Sequence, residues 1–287
     1  MPTTSDYLTQ LISDKADLAA NLIIKGVAAS SSETFTELVP KVLQIPSGGG
    51  MSWGDTIADD WDTIIANAAA GTVSNYSIGD TKTIEFIYDN TPIVWQFMLV
   101  AKSHEIISGT QNNAALTFQI KNKSLIYSFN NTNTNVGGWM GEAGDIYSTS
   151  LDEDADGELV HGCGIRKMLY GLYKAFPLNL QTAIRTVDKI YDDANASLQT
   201  SKEKIFLPCF EELGGTFTAG VSGQGTAYDY YNATAKRKKD GIPVTYYGTR
   251  SRRTTNNSTI VIINSNTGAV TYGNGNTFTA MCPCICL

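Results

Sequence analysis

Several short stretches of the chain carry residue types and spacings that could do chemistry. Asp152-Glu153-Asp154-Ala155-Asp156-Gly157 has the alternating carboxylates and closing glycine that open a calcium loop. Hard oxygen ligands at alternate positions wrap such a cation, and the glycine makes the turn. The twelfth position is Cys163, where a bidentate Glu is required. The run therefore reads first as a solvated acidic loop, with Ca2+ on Asp152, Asp154 and Asp156 as the one metal candidate. The two histidines, His104 and His161, belong to no recognisable nucleophile or metalloenzyme motif. Gly220-Val221-Ser222-Gly223-Gln224-Gly225 lacks the flanking strand and helix of a phosphate-cradling loop and reads as mobile. Cys282-Pro283-Cys284-Ile285-Cys286 lacks the convergent ligands of a zinc site and reads as a buried C-terminal strand with Cys as a small hydrophobe. These residues lead us to expect no enzyme and no cofactor.

Tyr228 to Arg253 is the stretch that looks built for recognition. Tyr228, Tyr230, Tyr231, Tyr246 and Tyr247 accompany Lys236-Arg237-Lys238-Lys239 and Arg250, Arg252 and Arg253. In a chain of net charge −7 this is a local basic, aromatic patch. Tyr and Arg supply large contact area and adaptable hydrogen bonds in binding loops. The functional expectation is a surface for an acidic glycan, a teichoic-acid phosphate or an acidic partner subunit. The plainer expectation is solvated loops whose Tyr side chains pack the core.

The elements that must position these residues follow from periodicity. Ser5 to Val27 has Leu8, Leu11, Ile12, Leu18, Ala19, Leu22 and Ile23 near a 3.6-residue period, which predicts a helix stopped by Gly26. Ser32 to Val39 predicts a second, with Phe35, Leu38, Val39 and Val42 on one face and Thr34–Glu37 as a capping box. Ile45-Pro46-Ser47-Gly48-Gly49-Gly50 is a flexible connection by composition. The expected organisation is a helical anchor at residues 1–46, a Gly-rich linker at 47–51 and a larger domain at 52–287. An anchor this small cannot bury its own apolar stripe, so Leu8, Leu11, Leu18, Leu22, Phe35 and Leu38 are assigned to oligomerisation.

Within the larger domain, Asp60–Ala68 predicts a helix closed by Gly71. Thr83–Tyr88, Ile93–Ala101 and Leu116–Ile120 predict strands, and Ile165–Tyr173 and Leu178–Val187 predict helices. Thr259–Ile263 and Ala269–Thr271 bracket a hairpin turn. The fold class expected is α+β. Of the 287 residues, 42% are hydrophobic, enough for a real core, and the acidic balance argues against a general nucleic-acid binder. No apolar run reaches the 18 or so residues of a membrane span, and the start lacks the features of a signal peptide. The expectation is a soluble protein made in the cytoplasm, with no membrane insertion.

Two stretches resemble known families. Asp14-Lys15-Ala16-Asp17-Leu18-Ala19-Ala20-Asn21-Leu22, Lys25-Gly26-Val27-Ala28-Ala29-Ser30, Glu33-Thr34-Phe35 and Leu38-Val39-Pro40-Lys41-Val42 resemble a helical module of tail and fibre proteins in phages of Gram-positive bacteria. Trp61-Asp62-Thr63-Ile64-Ile65, Tyr76-Ser77-Ile78-Gly79-Asp80, Gly137-Gly138-Trp139, Lys204-Ile205-Phe206-Leu207-Pro208 and Ala227-Tyr228-Asp229-Tyr230-Tyr231 keep the order of a family of unknown function. That family occurs in phage tail and bacterial surface proteins and looks like a relative of the C-type-lectin fold. Tyr247-Gly248-Thr249-Arg250-Ser251 departs from its usual Trp-Leu-Arg-Ser. The resemblance implies a C-type-lectin-like domain behind a helical anchor, in a virion surface protein of the tail-fibre, receptor-binding type. Partners would be other virion proteins, copies of itself in a homotrimer, and a host surface glycan or teichoic acid. The alternative is a capsid decoration protein, head fibre or baseplate part with no host ligand. A glycan-cleaving depolymerase would need paired carboxylates, for which Asp152–Asp156 is the local candidate.

Overall fold

The computed structural model describes residues 3–24, 29–42, 54–128, 151–192 except 156, 158 and 161, then 197–216, 221–253 and 259–287. They fall into two compact units, Met1–Trp53 and Gly54–Leu287. The expected linker at 47–51, Gly26 and Gly137-Gly138-Trp139 lie outside the described residues. Among the described residues no helix is long and apolar enough to cross a membrane.

The first unit is a pair of helices, α1 (Thr4–Ile24) and α2 (Phe35–Val42). Each starts on a threonine whose polar groups meet a carboxylate three residues on. The Thr3 N–H donates to Asp6 Oδ2 at 2.6 Å, and the Thr34 N–H to Glu37 Oε2 at 2.7 Å. These contacts satisfy amides that the first turn leaves orphaned. Thr34 caps α2, so that helix begins three residues later than the periodicity of Ser32–Val39 predicts. Leu22 and Leu38 are buried with Ala19, and Leu18 and Ala29 pack beside them. Leu22 and Leu38, expected to serve oligomerisation, therefore join α1 to α2, and Phe35 is half-buried. Tyr7, Leu8, Leu11 and Ile12, by contrast, are 65%, 56%, 52% and 66% exposed.

The second unit is α+β, mostly sheet with few helices. It begins with α3 (Trp61–Ala70), where Asp60 Oδ1 accepts the Thr63 N–H at 2.8 Å. Gly71, at φ +70°, ends that helix in the left-handed conformation that glycine adopts without a Cβ clash. Then come β1 (Thr81–Tyr88), β2 (Thr91–Lys102), β3 (Leu116–Ile120) and β4 (Ser124–Ser128). Two helices follow, α4 (Gly164–Lys174) and α5 (Leu178–Ala183). The remaining strands are β5 (Val187–Asp192), β6 (Leu198–Glu203), β7 (Ile205–Phe206), β8 (Tyr246–Arg252), β9 (Thr259–Asn264), β10 (Val270–Asn274), β11 (Phe278–Met281) and β12 (Cys284–Cys286).

One five-stranded sheet runs β1-β2-β3-β12-β7, a second runs β10-β9-β8-β11-β4, and β5 pairs with β6 as a ribbon. Between elements lies an apolar core in which Trp61, Phe86, Trp95, Phe97, Phe118 and Phe176 meet edge to face, with centroids 4.9–6.3 Å apart. That is the favoured geometry for aromatic pairs.

Two expectations about elements are corrected. The predicted helix Leu178–Val187 stops at Ala183, and Val187 opens β5. The Arg185 N–H leaves the helical ladder to donate to Cys286 O at 2.9 Å. Val187, Lys189 and Tyr191 then alternate inward, the period of a strand. Tyr246–Arg252, which the plainer expectation places in solvated loops, is β8, the central strand of the second sheet.

Candidate functional site

The expected recognition surface is mostly inside the molecule. Tyr228, Tyr231, Tyr247, Arg250 and Arg252 are all at most 2% exposed. Each spends its polar atoms on the protein. Tyr228 Oη donates to Glu105 Oε1 at 2.7 Å, Tyr231 Oη to Gln119 Oε1, and Tyr247 Oη to Arg237 O at 2.8 Å. Arg252 Nε sits 3.4 Å from Asp192 Oδ2. Arg253 lies over the Tyr272 ring at 4.5 Å, Tyr230 is half-buried under Lys236, and Tyr246 is exposed at the rim of β8. Side chains buried in this way cannot meet a macromolecular ligand, so the eight residues do not form one face.

Arg250 belongs instead to a buried charge network. Arg250 clamps Glu212 through Nη1–Oε2 at 2.6 Å and Nη2–Oε1 at 2.7 Å. Its other N–H groups go to the carbonyls of Ile190, Leu207 and Gln224 at 2.9–3.0 Å. Lys189 Nζ then bridges Glu212 Oε1 at 2.5 Å and Glu105 Oε2 at 2.6 Å. Burial opposes every one of these charges. The opposite charges outweigh it: Glu105 and Glu212 are held below the usual carboxylate range, and Lys189 and Arg250 above their ordinary values.

The network floors an open cleft of about 310 Å³ lined by His104, Glu105, Ile106, Asp188, Lys189, Ile190, Glu212 and the Gly223–Thr226 segment. The loop after β2 is laid against β5 by the Asp188 N–H donating to Ile106 O at 3.0 Å, which places His104 at the mouth. His104 Nε2 lies 3.0 Å from Thr226 Oγ1, and Nδ1 lies 3.5 Å from Glu105 Oε1. Glu105 raises the imidazole pKa above its ordinary value.

Hydroxyl, imidazole and carboxylate in that order resemble an activated nucleophile. The amides of the glycine loop before Thr226 are already engaged, however. Glu211 accepts the N–H groups of Gly223, Gln224 and Gly225 at 2.7–3.3 Å, so the glycine loop closes on its own carboxylate and offers an oxyanion little. The cleft is suited to holding a polar group at its mouth.

A second pocket, of about 330 Å³ and almost entirely polar, is lined by Lys123, Lys239, Asp240–Thr245 and Asn266. Lys123 Nζ donates to Ser265 Oγ at 2.8 Å and to Val244 O. Lys239 Nζ donates to Gln119 Oε1 and Ile120 O, both at 3.3 Å. Only Lys239 of this pair lies in the basic run seen in the sequence.

Residues 117–287 match the model of a family described as a domain of unknown function (DUF6273). The chain belongs to that family. No curated protein and no solved structure matches it. The DUF6273 match takes in β3 to β12, and with them Lys189, Glu212 and Arg250, Thr226 and both pocket lysines. His104 and Glu105 come from the loop before it, so the cleft joins a residue pair outside the DUF6273 match to the network within it.

Asp152 and Asp154 of the acidic run are exposed, whereas Asp156, Glu158 and His161 lie outside the described residues. Glu153 accepts from Tyr170 Oη and pairs with Lys174 at 3.2 Å. Among the described residues no three His, Cys, Asp or Glu side chains converge as a metal would require. All five cysteines of this DUF6273 chain are free and buried. Burial pushes the Cys163 and Cys209 thiols up to about 12 and Cys282 up to about 11. Since the thiolate is the reactive form, a disulfide-exchange dye should titrate none of the five rapidly in the native protein and all five in denaturant.

The residues that sequence reasoning missed are His104, Glu105, Lys189, Glu212, Thr226 and Lys123. A buried Arg on a strand needs a carboxylate, and Glu211-Glu212 close behind an apolar run was the available signal for one. Nothing local in the sequence marks His104.

Proposed function

We propose that the chain is a bacteriophage virion surface protein of the tail-fibre, receptor-binding type. Its N-terminal helices attach it to the particle and to copies of itself, as a homotrimer. Its α+β unit, a C-type-lectin-like domain in this reading, binds the host surface without catalysing a reaction. The observation that carries the reading is the apolar stripe of Tyr7, Leu8, Leu11 and Ile12, left in water on a unit whose buried core among the described residues is Ala19, Leu22 and Leu38. A helix pair this small gains too little from burial to stand alone, and the stripe has the i, i+3, i+4 spacing of a helix–helix seam. The resemblance of residues 14–42 to a phage tail module, and the two clefts of the larger unit, point the same way. Many copies on one particle make weak individual sites sufficient.

The test is the mass of the full chain in solution by light scattering, beside that of a Leu8→Glu/Leu11→Glu variant. The full chain should weigh a multiple of its 31.0 kDa, and the double variant should fall to the monomer with its circular dichroism retained. A wild-type chain that is a clean monomer at micromolar concentration defeats the reading. Binding to virions but not to host cell walls would leave the structural alternative, a decoration or baseplate part, in its place.

A further inference from the structure

Charge in the larger unit is handled in two different ways. Lys189 and Arg250 are buried against Glu105 and Glu212. Lys123 and Lys239, 8% and 4% exposed, are also buried, but among the described residues their bonds go to neutral oxygens of carbonyl, amide and hydroxyl groups. An ammonium has three protons to place, and two bonds are shown for each. Taking a cation out of water against neutral oxygens alone is costly, and a counter-charge offsets that cost. Both lysines line the same polar pocket, which is open to solvent and has room for a tetrahedral oxyanion together with part of the molecule carrying it.

We propose that this pocket binds a phosphate group, as a monoester or diester, with the Lys123 ammonium as its donor and Lys239 as the second positive charge. The proposal rests on the binding function given above and names the chemistry of the ligand. Two lysines lining one pocket match the multiple oxygens and charge of phosphate better than a single carboxylate, and lysine is a common point-charge binder of phosphate. Burial lowers the Lys239 pKa, and an anion bound beside it would oppose that shift. Asp240 is the opposing feature. Its side chain is on the exposed rim of the same pocket, where it weakens any anion and sets the affinity to be modest.

The rim supplies the test, because Asp240 and Asn266 are both exposed and can change charge without disturbing the core. Calorimetric titration of the full chain at constant ionic strength would use inorganic phosphate, a glycerol phosphodiester and acetate as probes. Saturable binding of either phosphate probe is expected, with acetate weaker. Asn266→Asp should weaken it about fivefold and Asp240→Asn should tighten it by about the same factor, the size of one added or removed charge at a partly screened pocket. Lys123→Met should abolish it, with near-ultraviolet circular dichroism confirming the fold. If the diester binds and free phosphate does not, the ligand is a polymer linkage; if both bind, a terminal phosphate suffices. The proposal is overturned by no saturable phosphate binding, by acetate binding as tightly, or by affinities that both rim variants leave unchanged. Phosphate binding without host-cell binding would sink the attachment reading alone. Host-cell binding indifferent to the rim variants, with no phosphate binding, would sink this one alone.

Discussion

Replacing Glu212 by Gln should destabilise the Gly54–Leu287 unit by about 3–5 kcal/mol, the usual cost of removing one partner from a buried ion pair. Glutamine fits the space, so the loss isolates the charge. Glu212 takes two of the guanidinium bonds of Arg250, the Lys189 ammonium and the Cys209 N–H at 2.8 Å. Without its charge, two buried cations are left with Glu105. The midpoint of urea unfolding reads the effect directly, and a midpoint within error of wild type would show that the network is electrostatically idle. The sign of the pH dependence follows from the same residues. The native pKa values of Glu105 and Glu212 lie below the ordinary value. Their contribution is therefore complete above the roughly 4.3 of an unfolded glutamate and is withdrawn as pH falls below it toward the native values. Wild type should lose stability steeply in that acid window, and Glu212→Gln should lose less there.

Deleting residues 282–287 should cost more still, and abolish the fold of this unit. β12 is an interior strand of the first sheet, with β3 on one side and β7 on the other. Cys282, Cys284, Ile285 and Cys286 are fully buried and Leu287 nearly so. Removing them strips the backbone partners of β3 and β7 and opens the core beneath. The truncated chain should be insoluble or lack the near-ultraviolet circular dichroism of its aromatic cluster. A truncated protein with the native spectrum and a cooperative melt would show that β12 is dispensable.

How much of this was readable beforehand depended on what each residue does locally. α3 was legible because Asp60 and Gly71 mark its ends chemically as well as by period, and β3 and the β9–β10 hairpin because apolar runs sit between turn residues. β8 was not. Arg250, Ser251 and Arg252 look like loop residues, and only the distant Glu212, Asp192 and Gln224 make it possible to bury them. β5 was misread for the same reason, since Lys189 interrupts its apolar face until Glu105 and Glu212 are brought to it. The candidate site shared this fate. Its patch residues were found by composition, but which of them face water is decided by pairings between positions dozens of residues apart. Local polarity predicts exposure only where a side chain has no remote partner to satisfy it.

The pairing of β12 with β3 joins Thr117 to Cys286, 169 residues further along. A growing polypeptide cannot close that sheet until the entire 54–287 segment has cleared the ribosome. Pairings between strands this far apart in sequence form slowly, and until they form β3 and β7 present uncovered edges to the crowded cell. Yield in a heterologous host should thus be governed by temperature and chaperone supply more than by the equilibrium stability of the finished protein.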